Sequence, residues 1–146
     1  MNREILFRGK RLDNREWVEG FYIIKQDPIL KNIKHYYIVV QEQDNRGMLK
    51  SFFEWYEVDP STVGQYTGQP DKNGVKIFKG DIVRHYNRTD EPESYEQGVI
   101  YWDVDRCQWR RTDIANGCDT WRIRNSCIYE VIGNIYDNPE LLEVKP

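Results

Sequence analysis

Residues that break regular structure recur at short intervals along this chain, and no other feature restricts its fold as much. Glycine, proline, asparagine and aspartate separate short runs of Val, Ile, Tyr, Phe and Trp, a combination typical of many short strands. No window keeps apolar residues at the helical spacing for three turns. The sequence therefore predicts a mainly β chain joined by tight turns.

The predicted strands fall into two groups. The first half holds an N-terminal hairpin ending in Trp17–Ile24, the strand Tyr36–Val40, and a return strand Leu49–Val58. The region from about 81 to 136 holds five further strands, enough for a small closed barrel. We therefore expect an N-terminal antiparallel sheet packed on a C-terminal SH3-like small barrel.

The whole chain, 1–146, is predicted to be a single domain, because no repeat, low-complexity tract or linker divides it. Its two subdomains are the sheet, about 1–65, and the barrel, about 66–146. Two polar stretches that contain proline, 25–35 and 87–97, are predicted loops, the second mobile and without a functional site.

A short C-terminal helix is predicted after the last strand. Asn138 occupies the cap position, Pro139 the first helical position and Glu140 the first turn.

The composition excludes some classes of protein. Lys and Arg number 21 and Asp and Glu 24, so the net charge of −3 argues against a nucleic-acid binder that is basic all over. Aromatic residues make up 14% of the chain, so we expect most of it to fold. The longest apolar run, Tyr36–Val40, is far short of a membrane span, and the first residues do not resemble a signal peptide. We expect a cytoplasmic protein with no membrane partner.

Three segments, spread in order over nearly the whole chain, carry a family resemblance. They are ILFRGKRLDNREWVEGFY at the start, EVDPSTVGQYTGQPDKNGVKIFKGDIVR from Glu57 to Arg84, and YEVIGNIYDNPELLE from Tyr129 to Glu143. Together they resemble the YopX-like proteins of phages and prophages. The resemblance implies a phage or prophage origin and a mainly β fold, and it brings no catalytic residue and no activity to this chain.

A structural turn motif lies within the second of these segments. Gly74 and Gly80 occupy turn positions that suit a positive φ, which glycine adopts without a clash. Asp81 is expected to accept hydrogen bonds from backbone N–H groups of the preceding turn. The pattern resembles the entry into SH3-like barrels, where a Gly-Asp turn leads into the first strand.

Arginine and tryptophan are concentrated in segment 109–124, just after the acidic stretch 88–105. If strands 107–112 and 120–124 pair, the guanidinium groups form a patch suited to phosphate, and an exposed tryptophan beside them stacks on a base. The residues of this predicted nucleic-acid site are Trp109, Arg110, Arg111, Trp121, Arg122 and Arg124. Alternatively, the tryptophans are core residues and the arginines pair with the acidic residues upstream.

Signals for catalysis, cofactors and metals are sparse. The three cysteines, Cys107, Cys118 and Cys127, have neither an even count nor metal-site spacing, so we expect reduced thiols and no bound metal. The weakest functional hypothesis is an enzyme in which Cys107 meets His85 across the strands. No cofactor motif is present, and we expect no catalytic activity.

Self-association accounts for the aromatic content without a ligand. Aromatic residues that alternate along the first group of strands, such as Tyr36, Phe52, Trp55 and Tyr56, leave an apolar face for a second copy to bury. The favoured prediction is therefore a non-catalytic interaction module, oligomeric, that acts on an unidentified host or phage protein. Nucleic-acid binding through the segment 109–124 is the first alternative.

Overall fold

A computed structural model describes residues 3–43, 51–86, 95–115, 120–123 and 128–143. Eleven strands and short 3₁₀ helices make up the regular structure of these residues, and the strands form antiparallel sheets. The predicted class, mainly β, is confirmed. The chain divides into two compact units, Met1–Gln65 and Tyr66–Pro146.

The first unit is built on an antiparallel sheet. Its strands are β1 (Phe7–Lys10), β2 (Trp17–Gln26), β3 (Lys34–Gln43), β4 (Ser51–Glu57) and the first residues of β5 (Gly64–Pro70). In space, β4 lies at one side, followed by β3, β2, β1 and β5.

One face of this sheet carries the core of the unit. Ile38 and Val58 are fully buried there. Tyr22 of β2 stacks on Tyr36 of β3, with ring centroids 6.3 Å apart and planes 13° apart. Because side chains alternate along a strand, the residues between these point to the opposite face.

The second unit contains a five-stranded antiparallel sheet in the order β10, β9, β8, β7, β11. The five strands are β7 (Asp81–Tyr86), β8 (Tyr95–Asp103), β9 (Gln108–Asp113), β10 (Thr120–Arg122) and β11 (Tyr129–Asn134). The unit also contains β6 (Lys76–Phe78), which pairs with β5. The core draws one residue from, or beside, almost every strand: Ile77, Val83, Ile100, Ile123 and Tyr129.

The turn motif is held by backbone conformation and by a buried carboxylate. Gly74 and Gly80 have φ values of +82° and +88°, the left-handed region that favours glycine. Asp81 is fully buried, and its Oδ2 accepts a hydrogen bond from Phe78 N at 2.7 Å. This bond closes the turn that leads into β7.

A second carboxylate joins distant segments. Asp71 Oδ1 accepts hydrogen bonds from Asn73 N at 2.8 Å and Val75 N at 2.9 Å. Asp71 Oδ2 accepts one from Val131 N at 2.9 Å, across 60 residues of sequence. One buried side chain therefore fixes both a turn and its position against β11.

Some predicted boundaries are wrong. The stretch predicted as loop 25–35 is shorter, because β2 continues to Gln26 and β3 begins at Lys34. Of the predicted mobile loop 87–97, residues 95–97 belong to β8, and residues 87–94 lie outside the described residues. The C-terminal helix is a 3₁₀ helix, Pro139–Leu142, and the Asn138 side chain does not cap it. Asn138 Oδ1 accepts instead from Asn134 N at 3.2 Å, which ties the segment back to β11.

Candidate interaction surface

Arg111, predicted as part of a nucleic-acid site, lies inside the second unit. It is 1% exposed, and its Nη2 donates to Glu96 Oε2 at 2.8 Å. Its Nε and Nη1 have no hydrogen-bond partner among the described residues. Gly98 provides the space, because a Cβ there would lie 2.3 Å from Arg111 Cγ. Arg111 is therefore not available to a ligand on the surface.

The strand pairing on which the predicted site depends is present, because β10 pairs with β9 and sets Arg122 opposite Arg110 and Trp121 opposite Arg111. Arg110 Nε lies 3.6 Å from Asp103 Oδ2. Trp109 is half-buried against the core, edge-on to Trp102 with centroids 5.1 Å apart. Arg122 is exposed, whereas the Trp121 side chain and Arg124 lie outside the described residues. This arrangement agrees with the alternative that arginines pair with upstream acidic residues, and nucleic-acid binding stays a prediction.

Arg111 also contributes to the electrostatics of its neighbours His85 and Tyr129. His85 Nδ1 lies 3.9 Å from the same Glu96 oxygen, Oε2, and has no hydrogen-bond partner among the described residues. Burial, and next the positive charge of Arg111, lower the pKa of His85, while Glu96 opposes them. The imidazole is therefore neutral near pH 7. Burial likewise raises the pKa of the adjacent Tyr129.

The prediction that Cys107 meets His85 across the strands is wrong, whereas an enzyme with either residue in its site stays a prediction. His85 is paired with Glu96 near the start of β8. Cys107 is exposed in the turn after β8, next to Gln108, which pairs with Asp103 at the other end of that strand. Seven residues separate Glu96 from Asp103, which is about 23 Å along a strand. The two side chains thus lie at opposite ends of the sheet. In the parts of the chain that the structure describes, no group of three His, Cys, Asp or Glu residues is placed to hold a metal.

The first unit presents an apolar surface on the side of its sheet away from the core. We call it the aromatic face, and it consists of Phe21, Ile23, Tyr37, Phe53 and Trp55. Phe21 and Phe53 are each 55% exposed and Trp55 is 47% exposed. The exposed rings lie on β2 and β4, on either side of the buried Val39 of β3, and a group of exposed apolar side chains of this kind marks an interaction surface.

Contacts within the sheet hold this face in place. Tyr37 meets Trp55 edge-on, with centroids 5.6 Å apart and planes 73° apart. Lys25 places its Nζ 5.3 Å from the centre of the Trp55 ring. These contacts order Tyr37 and Trp55 before a partner arrives, which lowers the entropic cost of binding at these two side chains.

A histidine joins two strands beside the aromatic face. His35 Nδ1 lies 2.7 Å from Glu57 Oε1, and its Nε2 lies 3.1 Å from Asp27 Oδ2. The hydrogen bonds to Glu57, and next to Asp27, raise the pKa of His35. Asp27 Oδ1 also accepts from Ile29 N and Leu30 N, each at 2.8 Å, and these bonds and His35 lower the pKa of Asp27 to about 2. The loop that exposes Ile29 is thus tied to the sheet.

Strand β4 ends the sheet of the first unit, and only the last part of its outer side bonds to another described segment. Val58 N donates to Tyr36 O at 2.8 Å, so even-numbered residues at this end point their backbone groups towards β3. Glu57 O points the other way and accepts from Leu12 N at 3.0 Å. Phe53 and Trp55 therefore direct their N–H and C=O groups away from β3, where no described strand pairs with them.

The family model of the YopX protein matches residues 6–143. The chain belongs to the YopX family. The crystal structure of protein EF1440 from Enterococcus faecalis has a similar fold, with a TM-score of 0.54 and 24% sequence identity over 97% of this YopX chain and 100% of that one. No curated protein matches this YopX chain. Among its described residues, no helix is long and apolar enough to cross a membrane.

Sequence reasoning found part of the aromatic face of this YopX chain. It named Trp55, which belongs to this face, and Phe52, which is exposed on the opposite side of β4, together with Tyr36 and Tyr56, which are half-buried on the core side. It missed Phe21 and its neighbours on the other strands. Alternation within one strand is visible in the sequence, but the register that aligns Phe21, Val39 and Trp55 is not.

Proposed function

We propose that this YopX family chain is a non-catalytic interaction module that associates with a second copy of itself through β4. The observation that carries the proposal is the coincidence of two features on one strand. Phe53 and Trp55 expose aromatic side chains, and the backbone groups of the same two residues face an edge of the sheet with which no described strand pairs. An open edge is a template for a further strand, and exposed aromatic groups beside it add contact area.

The composition of β4 supports this role. Sheet edges that stay free in solution commonly carry lysine, proline or a bulge, which hinder pairing with another chain. The sequence of β4 is SFFEWYE, with three aromatic residues in its first five, and neither lysine nor proline. Its register with β3 is continuous from Ser51 to Glu57. The strand therefore lacks lysine, proline and a bulge, and its charged residues are Glu54 and Glu57.

A dimer of this kind places two aromatic faces side by side. The resulting surface is twice as wide as that of one copy and suits a further protein partner, which we propose to be a host or phage protein in the host cytoplasm. For the second unit, we propose an SH3-like barrel. Its support is that Val83, Ile100 and Tyr129, from three strands, share one core with Ile77 and Ile123. Nucleic-acid binding ranks lower because Arg111 is buried.

Sedimentation equilibrium over a wide range of protein concentration tests the self-association. We expect wild-type protein to dimerise and Phe53→Lys to weaken dimerisation at least 10-fold, because it places a charge on the open edge of each copy. The matched control is Ile29→Lys, since Ile29 is 85% exposed but lies in the β2–β3 loop, away from β4. A wild-type protein that stays monomeric at every concentration contradicts the proposal, and so does an equal effect of both substitutions.

A further inference from the structure

The backbone of β4 determines how two copies can meet. Because backbone groups alternate in direction along a strand, Ser51, Phe53 and Trp55 all point theirs to the open edge. The hydrogen bonds between two antiparallel strands join only residues whose backbone N–H and C=O groups point towards the other strand. Two copies related by a two-fold axis must therefore pair these three residues among themselves, and only a few registers do so.

We propose that β4 pairs antiparallel with β4 of a second copy, with Phe53 facing its own counterpart at the two-fold axis. This inference rests on the proposed self-association and specifies its geometry. In this register Phe53 pairs with Phe53, and Ser51 pairs with Trp55 in both directions. Every outward-pointing residue from Ser51 to Trp55 then has a backbone partner.

The neighbouring registers are less favourable. A shift of one step towards Glu57 sets Glu54 directly opposite Glu54 of the other copy, and like charges in that position repel. A further step requires the carbonyl oxygen of Glu57, which already accepts from Leu12 N. A shift in the other direction leaves Trp55 opposite a residue that precedes β4.

The proposed register also satisfies the side chains. Phe53 meets an aromatic ring on the same face, and aromatic cross-strand pairs are among the favourable ones in antiparallel sheets. On the other face Phe52 lies opposite Glu54, so no two like charges face each other. The two-fold axis makes the contact isologous, the arrangement of most homodimers.

Disulfide trapping reads the register directly. Two Phe53 Cα atoms in a hydrogen-bonded pair lie about 5.5 Å apart, within the range that a disulfide spans. Two Glu54 Cα atoms lie on a diagonal at about 8 Å, beyond that range. The test compares Phe53→Cys with the matched Glu54→Cys, each in a background with Cys107, Cys118 and Cys127 replaced by serine. After oxidation we expect at least 10-fold more covalent dimer from Phe53→Cys.

Amide exchange provides a second readout that keeps Phe53 in place. As wild-type protein is concentrated, exchange of the Phe53 and Trp55 amides should slow at least 10-fold. The Glu54 amide, which points at β3, should not change. This measurement applies even if the cysteine variants associate weakly.

The outcomes separate the register from the proposed function. More covalent dimer from Glu54→Cys than from Phe53→Cys overturns the register. A dimer in sedimentation without protection of the Phe53 and Trp55 amides overturns β4 pairing but leaves self-association standing. A protein that is monomeric in sedimentation overturns both.

Discussion

Replacing Glu96 with glutamine should destabilise the second unit, because it leaves the Arg111 guanidinium inside the protein without its carboxylate. Arg111 is almost completely buried, and Glu96 is its only hydrogen-bond acceptor among the described residues. A charge that loses its partner in a medium of low dielectric keeps the full cost of its desolvation.

The magnitude follows from the exposure of the pair. Breaking a fully buried ion pair costs about 3–5 kcal/mol. The Glu96 side chain is 39% exposed, so water screens the charge, and we expect a loss of roughly 1–3 kcal/mol. Arg111→Met should cost less, within about 1 kcal/mol of wild type, because it removes the buried charge while an aliphatic side chain still covers Gly98. The variant that combines Glu96→Gln with Arg111→Met should then have about the same free energy of unfolding as Arg111→Met alone.

Urea unfolding measured by tryptophan fluorescence provides the test. With a slope near 2 kcal/mol per M, a loss of about 2 kcal/mol moves the midpoint by about 1 M. Arg106→Gln is the control, since the Arg106 side chain is 61% exposed and Asp103 keeps the Arg106 N–H and Arg110 as partners, so stability should change by less than about 0.5 kcal/mol. If Glu96→Gln costs no more than Arg111→Met, the assignment of Arg111 as a charge that depends on Glu96 is refuted.

Three further predictions concern titration, folding and binding. The two histidines should titrate on opposite sides of about pH 6.5 in NMR, His35 above and His85 below. The raised pKa of His35 gives stability that is present at low pH and lost as pH rises through that pKa. The lowered pKa of His85 makes stability fall as pH drops below about 6.5, and equal titration of both would contradict these signs. Asp71→Ala leaves three backbone N–H groups without their acceptor and should cost about 2–4 kcal/mol in urea unfolding, whereas Asn73→Ala in the same turn should cost little. Fluorescence anisotropy with labelled oligonucleotides should show no binding at low or physiological salt; salt-sensitive binding that weakens in Arg122→Ala would instead restore the nucleic-acid alternative.

Local features of this chain were open to prediction because their causes are local. The strands around Tyr37 and Val83 follow from runs of β-branched and aromatic residues, and the turns at Gly74 and Gly80 from a residue that tolerates positive φ. The bond from Phe78 N to Asp81 spans three residues, so the pattern of the turn was enough to indicate it.

Strand ends were harder to predict, because neighbouring strands extend them. Lys34 and His35 look like loop residues in the sequence, yet they pair with Gln26 and Lys25 of β2. Glu96 looks like part of an acidic loop, yet it pairs with His85. In each case backbone hydrogen bonds to a partner strand outweigh the polar character of the side chain.

By itself, the sequence determined the mainly β class, the tight turns and the family, because these depend on propensities and on order along the chain. Only the tertiary structure decided which side chains are inside. Arg111 and Arg110 are adjacent in sequence, but Arg111 is buried against Glu96 and Arg110 pairs with Asp103. Likewise, the exposure of Phe21, Phe53 and Trp55 depends on strand order and register. Burial depends on what lies opposite a side chain, and pairing between residues distant in sequence sets that.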